Sequence, residues 1–293
     1  MQEPEKRTKS DFGQEDRGIR INKYLSEAGI CSRREADREI EAGNVWIGGR
    51  RAVPGDRVLP GEQVLFRGQP VEPEEEEILL AFHKPRGIVC TAEKREKDNI
   101  IDYIGFPKRI YPVGRLDKDS EGLLLLTNQG ELVNRLLRAG NYHEKEYVVT
   151  VDREVTREFL DGICSGVYLA GLDVTTRRCS ARKLSAHKFS IVLTQGYNRQ
   201  IRRMCEAFGY RVKRLVRVRI LNIELGNLPA GTYRELTQEE TEELFRLMAD
   251  SYSDPKESKR KNVHGSGNTK KPQPGSGRRN EKAEGMHGRK KTV

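Results

Sequence analysis

Hydrophobic positions fall in short clusters along this chain, and their spacing divides it into segments. Residues 1–17 are polar throughout and are expected to be disordered. From Ile19 the pattern changes. Ile21, Tyr24, Leu25 and Ala28 follow i, i+3, i+4, i+7 spacing, which predicts a helix stopping near Gly29. Ser32 with Glu35 three residues later forms a capping-box signal for a second helix, and Gly43 ends it. Arg20 and Lys23 are placed on the first helix; Arg33, Arg34 and Arg38 are placed on the second, with Arg34 and Arg38 on one face. Residues 45–53 read as two strands around a Gly48-Gly49 turn, and Val58, Val64 and Phe66 complete a small β unit.

Residues 69–77 contain Pro70, Pro73 and four consecutive glutamates, which predicts a stiff, exposed linker with solubilising acids. Beyond it, residues 78–82 predict a strand, interrupted by His83-Lys84-Pro85-Arg86-Gly87 and resumed at 88–91. A helical turn is expected over 100–104, and a short helix over 131–138 with Leu132, Leu136 and Leu137 turned inwards. Residues 145–151 are rich in β formers, 155–163 look helical, and 189–194 alternate as a half-buried strand. In residues 198–208, Ile201, Met204, Cys205 and Phe208 keep helical spacing, which places Arg199, Arg202 and Arg203 largely on the opposite side. A basic strand follows over 212–220, then a last strand over 233–236 and a final helix capped by Thr237 and Glu240. Periodicity ends near residue 251.

Charge refines this division. The chain carries a formal +10, of which residues 251–293 hold 12 Lys/Arg against 4 Asp/Glu. That tail is expected to be a disordered basic segment that raises non-specific, salt-dependent affinity for a polyanion. The preceding 250 residues are left with +2, so a polyanion must meet a local patch there. Five scattered cysteines with no CxxC spacing indicate neither zinc nor a redox motif, and they suit a reducing cytoplasm. The N-terminus lacks the apolar core of a signal peptide, and no apolar run is long enough to span a bilayer.

The candidate chemistry centres on Gly114-Arg115-Leu116-Asp117-Lys118-Asp119-Ser120-Glu121-Gly122, which runs into Leu123-Leu124-Leu125-Leu126-Thr127. A polar, glycine-bounded loop delivers a carboxylate, and the apolar run reads as a buried strand that fixes it. Asp119 and Glu121 read as surface groups.

Two motif sets carry a family resemblance. Arg20-Ile21-Asn22-Lys23-Tyr24-Leu25, Ser32-Arg33-Arg34-Glu35-Ala36 and Gly43-Asn44-Val45 resemble the S4 RNA-binding domain over residues 18–68, with Arg20, Lys23, Arg33, Arg34 and Arg38 implied as its phosphate contacts. Gly114 to Asp117 with Gly122 to Asn128, Lys145-Glu146-Tyr147, Asn198 to Met204 and His83 to Gly87 together resemble the pseudouridine synthases, in the form of the RsuA/RluB/RluE/RluF family. Within that family, residues 195–210 are most similar to the RluF type, which acts on 23S rRNA and has been associated with a tRNA anticodon uridine.

The resemblance implies an α+β fold with a mixed, mainly antiparallel sheet over residues 78–250, and an S4 domain tethered flexibly ahead of it. It implies Asp117, Tyr147 and Arg202 as the catalytic set: a carboxylate acting on sugar or base, an aromatic ring stacked on the extruded uracil, and a guanidinium keeping the acid ionised. Ile201 would form the opposite apolar wall, and Arg115 would fill the vacated space or hold the phosphate. Arg199 and Lys84 complete the implied substrate-binding set. The isomerisation exchanges nothing with an outside molecule, so no cofactor or metal is expected. RNA is the implied partner, no membrane is, and the chain is expected to act as a monomer. A tyrosine in a strand, a helix arginine or an isoleucine has an ordinary packing role when taken singly; co-occurrence with the Asp117 loop makes them candidates. The competing class is a non-catalytic S4-type RNA-binding or ribosome-assembly protein.

Overall fold

The computed structural model describes residues 18–249 apart from Glu75 and Lys94. The expectations for residues 1–17 and for the basic tail from 251 lie outside the described residues.

The N-terminal part builds its own core. Ile21 and Leu25 of helix Ile21–Glu27, and Ala36 and Ile40 of helix Arg33–Glu41, join Val45, Ile47, Val58 and Val64 in one buried cluster. The capping box forms as expected: Ser32 Oγ accepts from the Glu35 amide at 3.2 Å, and the Glu35 carboxylate accepts from the Ser32 amide at 3.4 Å. Gly48 and Gly49 take φ of 54° and 84°, which the two-residue turn between strands Val45–Ile47 and Arg50–Arg51 requires. Arg20 departs from expectation. It lies in the two-residue strand Ile19–Arg20, paired with Arg57–Val58, and caps the helix rather than riding on it.

The second part is organised on a nine-stranded sheet. Its main path runs Ser180–Ser185, Lys188–Leu193, Lys145–Val151, Val212–Ile220, Glu121–Thr127, Leu79–Lys84, Tyr233–Glu235. Among the described residues every pairing in this sheet is antiparallel except one: Val212–Ile220 runs parallel to Glu121–Thr127, with Arg217 opposite Gly122. The sheet is therefore mixed and mainly antiparallel, as the resemblance implied. All seven residues of Glu121–Thr127 are buried. Leu123 and Leu125 enter one apolar cluster, while Leu124 and Leu126 enter another, so the strand is covered on both faces. Its unbroken apolar run follows from that double burial.

Several local expectations change. Leu79–Lys84 continues through His83 and Lys84, ends where Pro85 removes a ladder donor, and does not resume; Val89 makes a single bridge to Asn99. Helix Gly130–Leu137 buries Leu132 and Leu136, but Leu137 is 42% exposed, because one residue is a 100° rotation away from Leu136. Phe208, just past helix Gln200–Ala207, reaches the core only in part: it is 39% exposed and meets Phe159 edge-on at 5.8 Å. The strand Ser180–Ser185 escaped the sequence reading because it is an exposed edge without apolar alternation. The linker acids do more than solubilise: Glu74 and Glu76 both pair with Lys108, and the Asn128 side chain donates to the Glu76 carbonyl at 2.7 Å. No helix among the described residues is long and apolar enough to cross a membrane.

Candidate active site

The loop between Gly114 and Gly122 is fixed over its second half. It enters the doubly covered strand Glu121–Thr127. Just before that strand it is clamped by the end of Leu79–Lys84 and the residues that follow. The Lys84 side chain is fully buried, and its Nζ donates to the carbonyls of Ser120 at 2.8 Å and Pro85 at 2.9 Å. Burial lowers the Lys84 pKa from the usual lysine value. Next to it, the Gly87 amide donates to the Lys118 carbonyl at 2.7 Å. The implied substrate contact at Lys84 is therefore corrected: its ammonium is occupied by two backbone carbonyls and holds the loop instead.

Helix Gln200–Ala207 closes over this loop. It starts at Arg199, whose φ of 51° is left-handed. Arg199 Nη1 lies 3.2 Å from Asp119 Oδ1 and 3.9 Å from Asp117 Oδ2. Arg202, one turn further in, is buried; its Nη2 sits 3.1 Å from Asp119 Oδ2, and its Nη1 donates to the Val212 carbonyl at 3.2 Å. Nη2 also reaches the Asp119 carbonyl at 3.3 Å and Ser120 Oγ at 3.4 Å. This differs from the expected pairing in two ways. The arginine that faces Asp117 is Arg199, and Arg202 grips the deeper half of the loop through Asp119. Residues 199 and 202 share a helix face, so helical spacing alone did not separate them. Asp119 is thus a tie between loop and helix rather than a surface group. Glu121 is buried and pairs with Arg214, so the same correction applies to it.

A cavity of about 690 Å³ opens beside the loop. Asp117, Arg115, Tyr147, Ile201 and Arg199 all line it, so five of the expected site residues converge there; Arg202 and Lys84 lie outside it. Its size is within the range of small-ligand sites. Tyr147 comes from strand Lys145–Val151, half-buried between two apolar clusters, with Arg217 and Ile191 as its cross-strand partners. Asp117 is partly open to solvent at 31% side-chain exposure, so the carboxylate is reachable from the cavity.

Two lining residues were not singled out from sequence. Lys145 precedes Tyr147 by two positions, so the period of a strand puts both on one face. Its pKa is pushed down to about 8, first by burial and then by the charge of Arg217. Arg217 is almost fully buried, and its Nε donates to the Leu123 carbonyl at 2.6 Å. The period-2 relation to Tyr147 was the available signal for Lys145; nothing in the run of arginines marked Arg217 as the inward one. Among the described residues, no group of three or more His, Cys, Asp or Glu side chains could hold a metal ion.

Residues 78–207 match the family model of RNA pseudouridylate synthases, and residues 19–64 match the S4 domain. The dual-specificity RNA pseudouridine synthase RluF of Escherichia coli K12 is 53% identical over 243 residues, which cover 82% of this chain and 83% of that one. The chain belongs to the RNA pseudouridine synthase family. Within it, the ribosomal large subunit pseudouridine synthase B of Bacillus subtilis is 35% identical, across 79% of this chain and 97% of that one. A crystal structure of a pseudouridylate synthase superposes with a TM-score of 0.58 at 28% identity, covering 78% of this chain and all of the other. This RNA pseudouridine synthase thus carries an S4 domain ahead of its isomerase part. On that S4 domain Arg20, Arg33, Arg34 and Arg38 are exposed, and Lys23 lies 3.6 Å from Glu27.

Proposed function

We propose that this pseudouridine synthase acts in the cytoplasm on a uridine of 23S rRNA, with a tRNA anticodon uridine as a second target, and that Asp117 performs the chemistry. The observation that carries the reading is the meeting of Asp117, Tyr147 and Ile201 in one cavity large enough for a nucleoside. Similarity to a large-subunit enzyme supports the rRNA target, and similarity to a relative named for dual specificity supports a second target. The target base leaves the helical stack, at a cost of a few kcal/mol, and enters between the Tyr147 ring and the Ile201 side chain. Stacking on the ring recovers about 1–3 kcal/mol of that cost.

The bond from N1 to C1′ breaks, the base turns, and a bond from C5 to C1′ forms. The C5 proton departs and N1 gains one, so the product is an isomer with no electron or group supplied from outside. One carboxylate suffices as nucleophile, on the sugar or on the base. Arg199 faces that carboxylate, while Arg202 and Asp119 hold the loop that presents it. Tyr147 moves a proton late in the sequence. The exposed arginines of the S4 domain bind phosphates, which orient the RNA without reading its bases.

The test is pseudouridine mapping of rRNA and tRNA from cells carrying the wild type or Asp117→Asn. The wild type should restore a specific site, and the variant should bind RNA but lose at least about 10³-fold in rate. Equal activity of the two proteins would remove Asp117 from the mechanism. A wild type that modifies no RNA would favour the non-catalytic RNA-binding alternative.

A further inference from the structure

A second groove, of about 710 Å³, lies along the same loop. It shares Asp117, Arg115 and Arg199 with the first cavity, and adds Arg86, Lys118 and Asp119. Asp117 therefore stands where the two hollows meet. Their chemistry differs. The first sets an aromatic ring and an isoleucine among its charged groups, whereas the second has no aromatic residue and carries four cations and two carboxylates.

The charges of the second groove are unequally committed. Lys118 is paired with Asp98 at 2.9 Å, and Arg199 is shared between Asp119 and Asp117. Arg86 and Arg115 are exposed and have no ion pair or hydrogen bond among the described residues. Two guanidinium groups without an ion pair thus line the groove that Asp117 also lines.

Arg86 is also held in place. The residue before it, Pro85, has a fixed φ and gives its carbonyl to the buried Lys84 ammonium. The residue after it, Gly87, has φ of 91° and donates its amide to the Lys118 carbonyl. The backbone that carries Arg86 is thus tied to the catalytic loop directly through Gly87 and indirectly through Lys84, whose ammonium also binds the Ser120 carbonyl. The Arg86 fork suits a phosphate, which guanidinium groups bind in a bidentate way.

We infer that this second groove binds the RNA backbone phosphates flanking the extruded uridine, and that Arg86 is a substrate-positioning residue contacting one of them. The inference rests on the RNA-isomerase reading above, since it places the sugar-phosphate chain in one hollow while the base occupies the other.

Arg86→Ala and Arg86→Lys in the full chain test it, with KM and kcat measured on an RNA stem-loop across a salt series. Arg86 is exposed, so folding should be unchanged, which thermal melting checks. Arg86→Ala should raise KM about tenfold at low salt and leave kcat within about twofold. It should also reduce the slope of log KM against log salt by about one phosphate contact. Arg86→Lys should recover the slope, because the charge remains. Placing a methylphosphonate next to the target uridine should weaken the wild type and leave Arg86→Ala unaffected.

An active wild type with Arg86→Ala unchanged in KM and slope overturns this inference alone. A wild type that forms no pseudouridine overturns the functional reading instead. Inorganic phosphate should compete with RNA beyond the effect of chloride at equal ionic strength, and less so in Arg86→Ala; equal competition in the two proteins would place the phosphate contact elsewhere and also overturn the inference.

Discussion

Gly122 and Arg217 face each other across the parallel pairing so closely that a Cβ at residue 122 would fall 2.3 Å from the Arg217 carbonyl oxygen and 2.5 Å from its amide nitrogen. Both contacts are to backbone, which cannot swing aside, and Gly122 has φ of 110° besides. Gly122→Ala should therefore destabilise the protein by roughly 3 kcal/mol or more and displace the Asp117 loop. Urea denaturation and single-turnover isomerisation measure the two effects. A variant of wild-type stability would mean the strands can part at no cost.

Arg202 and Asp119 form the tie between helix and loop. The guanidinium is buried, so removing Asp119 leaves it poorly compensated, while Asp119 itself is 41% exposed and part of the loss is screened. Asp119→Asn and Arg202→Met should each lower kcat about tenfold or more with little change in KM. The double variant should be scarcely worse than either single one, because both break the same contact. Additive losses would show that the two side chains act through separate contacts rather than through this pair.

Tyr147→Phe keeps the ring and removes the hydroxyl. RNA affinity should persist, and the rate of the chemical step should fall about 10²-fold. Pre-steady-state rates on a labelled stem-loop distinguish these. Normal turnover would limit the tyrosine to stacking.

Lys145 gives stability a pH dependence of defined sign. Its folded pKa is about 8, while an unfolded lysine titrates near 10.4. Between those values the unfolded chain holds a proton that the folded chain has released. Stability from this group thus rises with pH across that window, and its burial penalty is complete below about pH 8. Lys145→Met should be more stable than wild type at pH 7, by about 1–3 kcal/mol, with the gap closing as the pH approaches 10. Urea melts at the two pH values measure it. A gap independent of pH would show that the ammonium stays solvated in the fold.

The local elements and the family were legible in the sequence. The capping boxes at Ser32 and Thr237, the paired glycines at 48–49 and the leucine run at 123–126 are signals carried by residues a few positions apart. Such signals act through local backbone geometry or burial period, so they survive without knowledge of the rest of the chain. Asp117, Tyr147 and Ile201 were found because their motifs are distinctive, and the cavity brings them together.

Tertiary structure decided which charge meets which. Asp117 and Arg199 are 82 positions apart, and whether residue 199 or 202 reaches the acid depends on a left-handed residue at the helix start and on how deeply the helix docks. Lys84, implied as a substrate contact, is a buried clamp because its ammonium binds the carbonyls of Ser120 in the loop and of its own neighbour Pro85. Lys145 and Arg217 became cavity residues through strand pairing, and Glu121 was drawn inside by Arg214. Periodicity states which face a side chain takes; it does not state what stands opposite. That is set by strand order and register, and these arise when distant segments bury their apolar faces together.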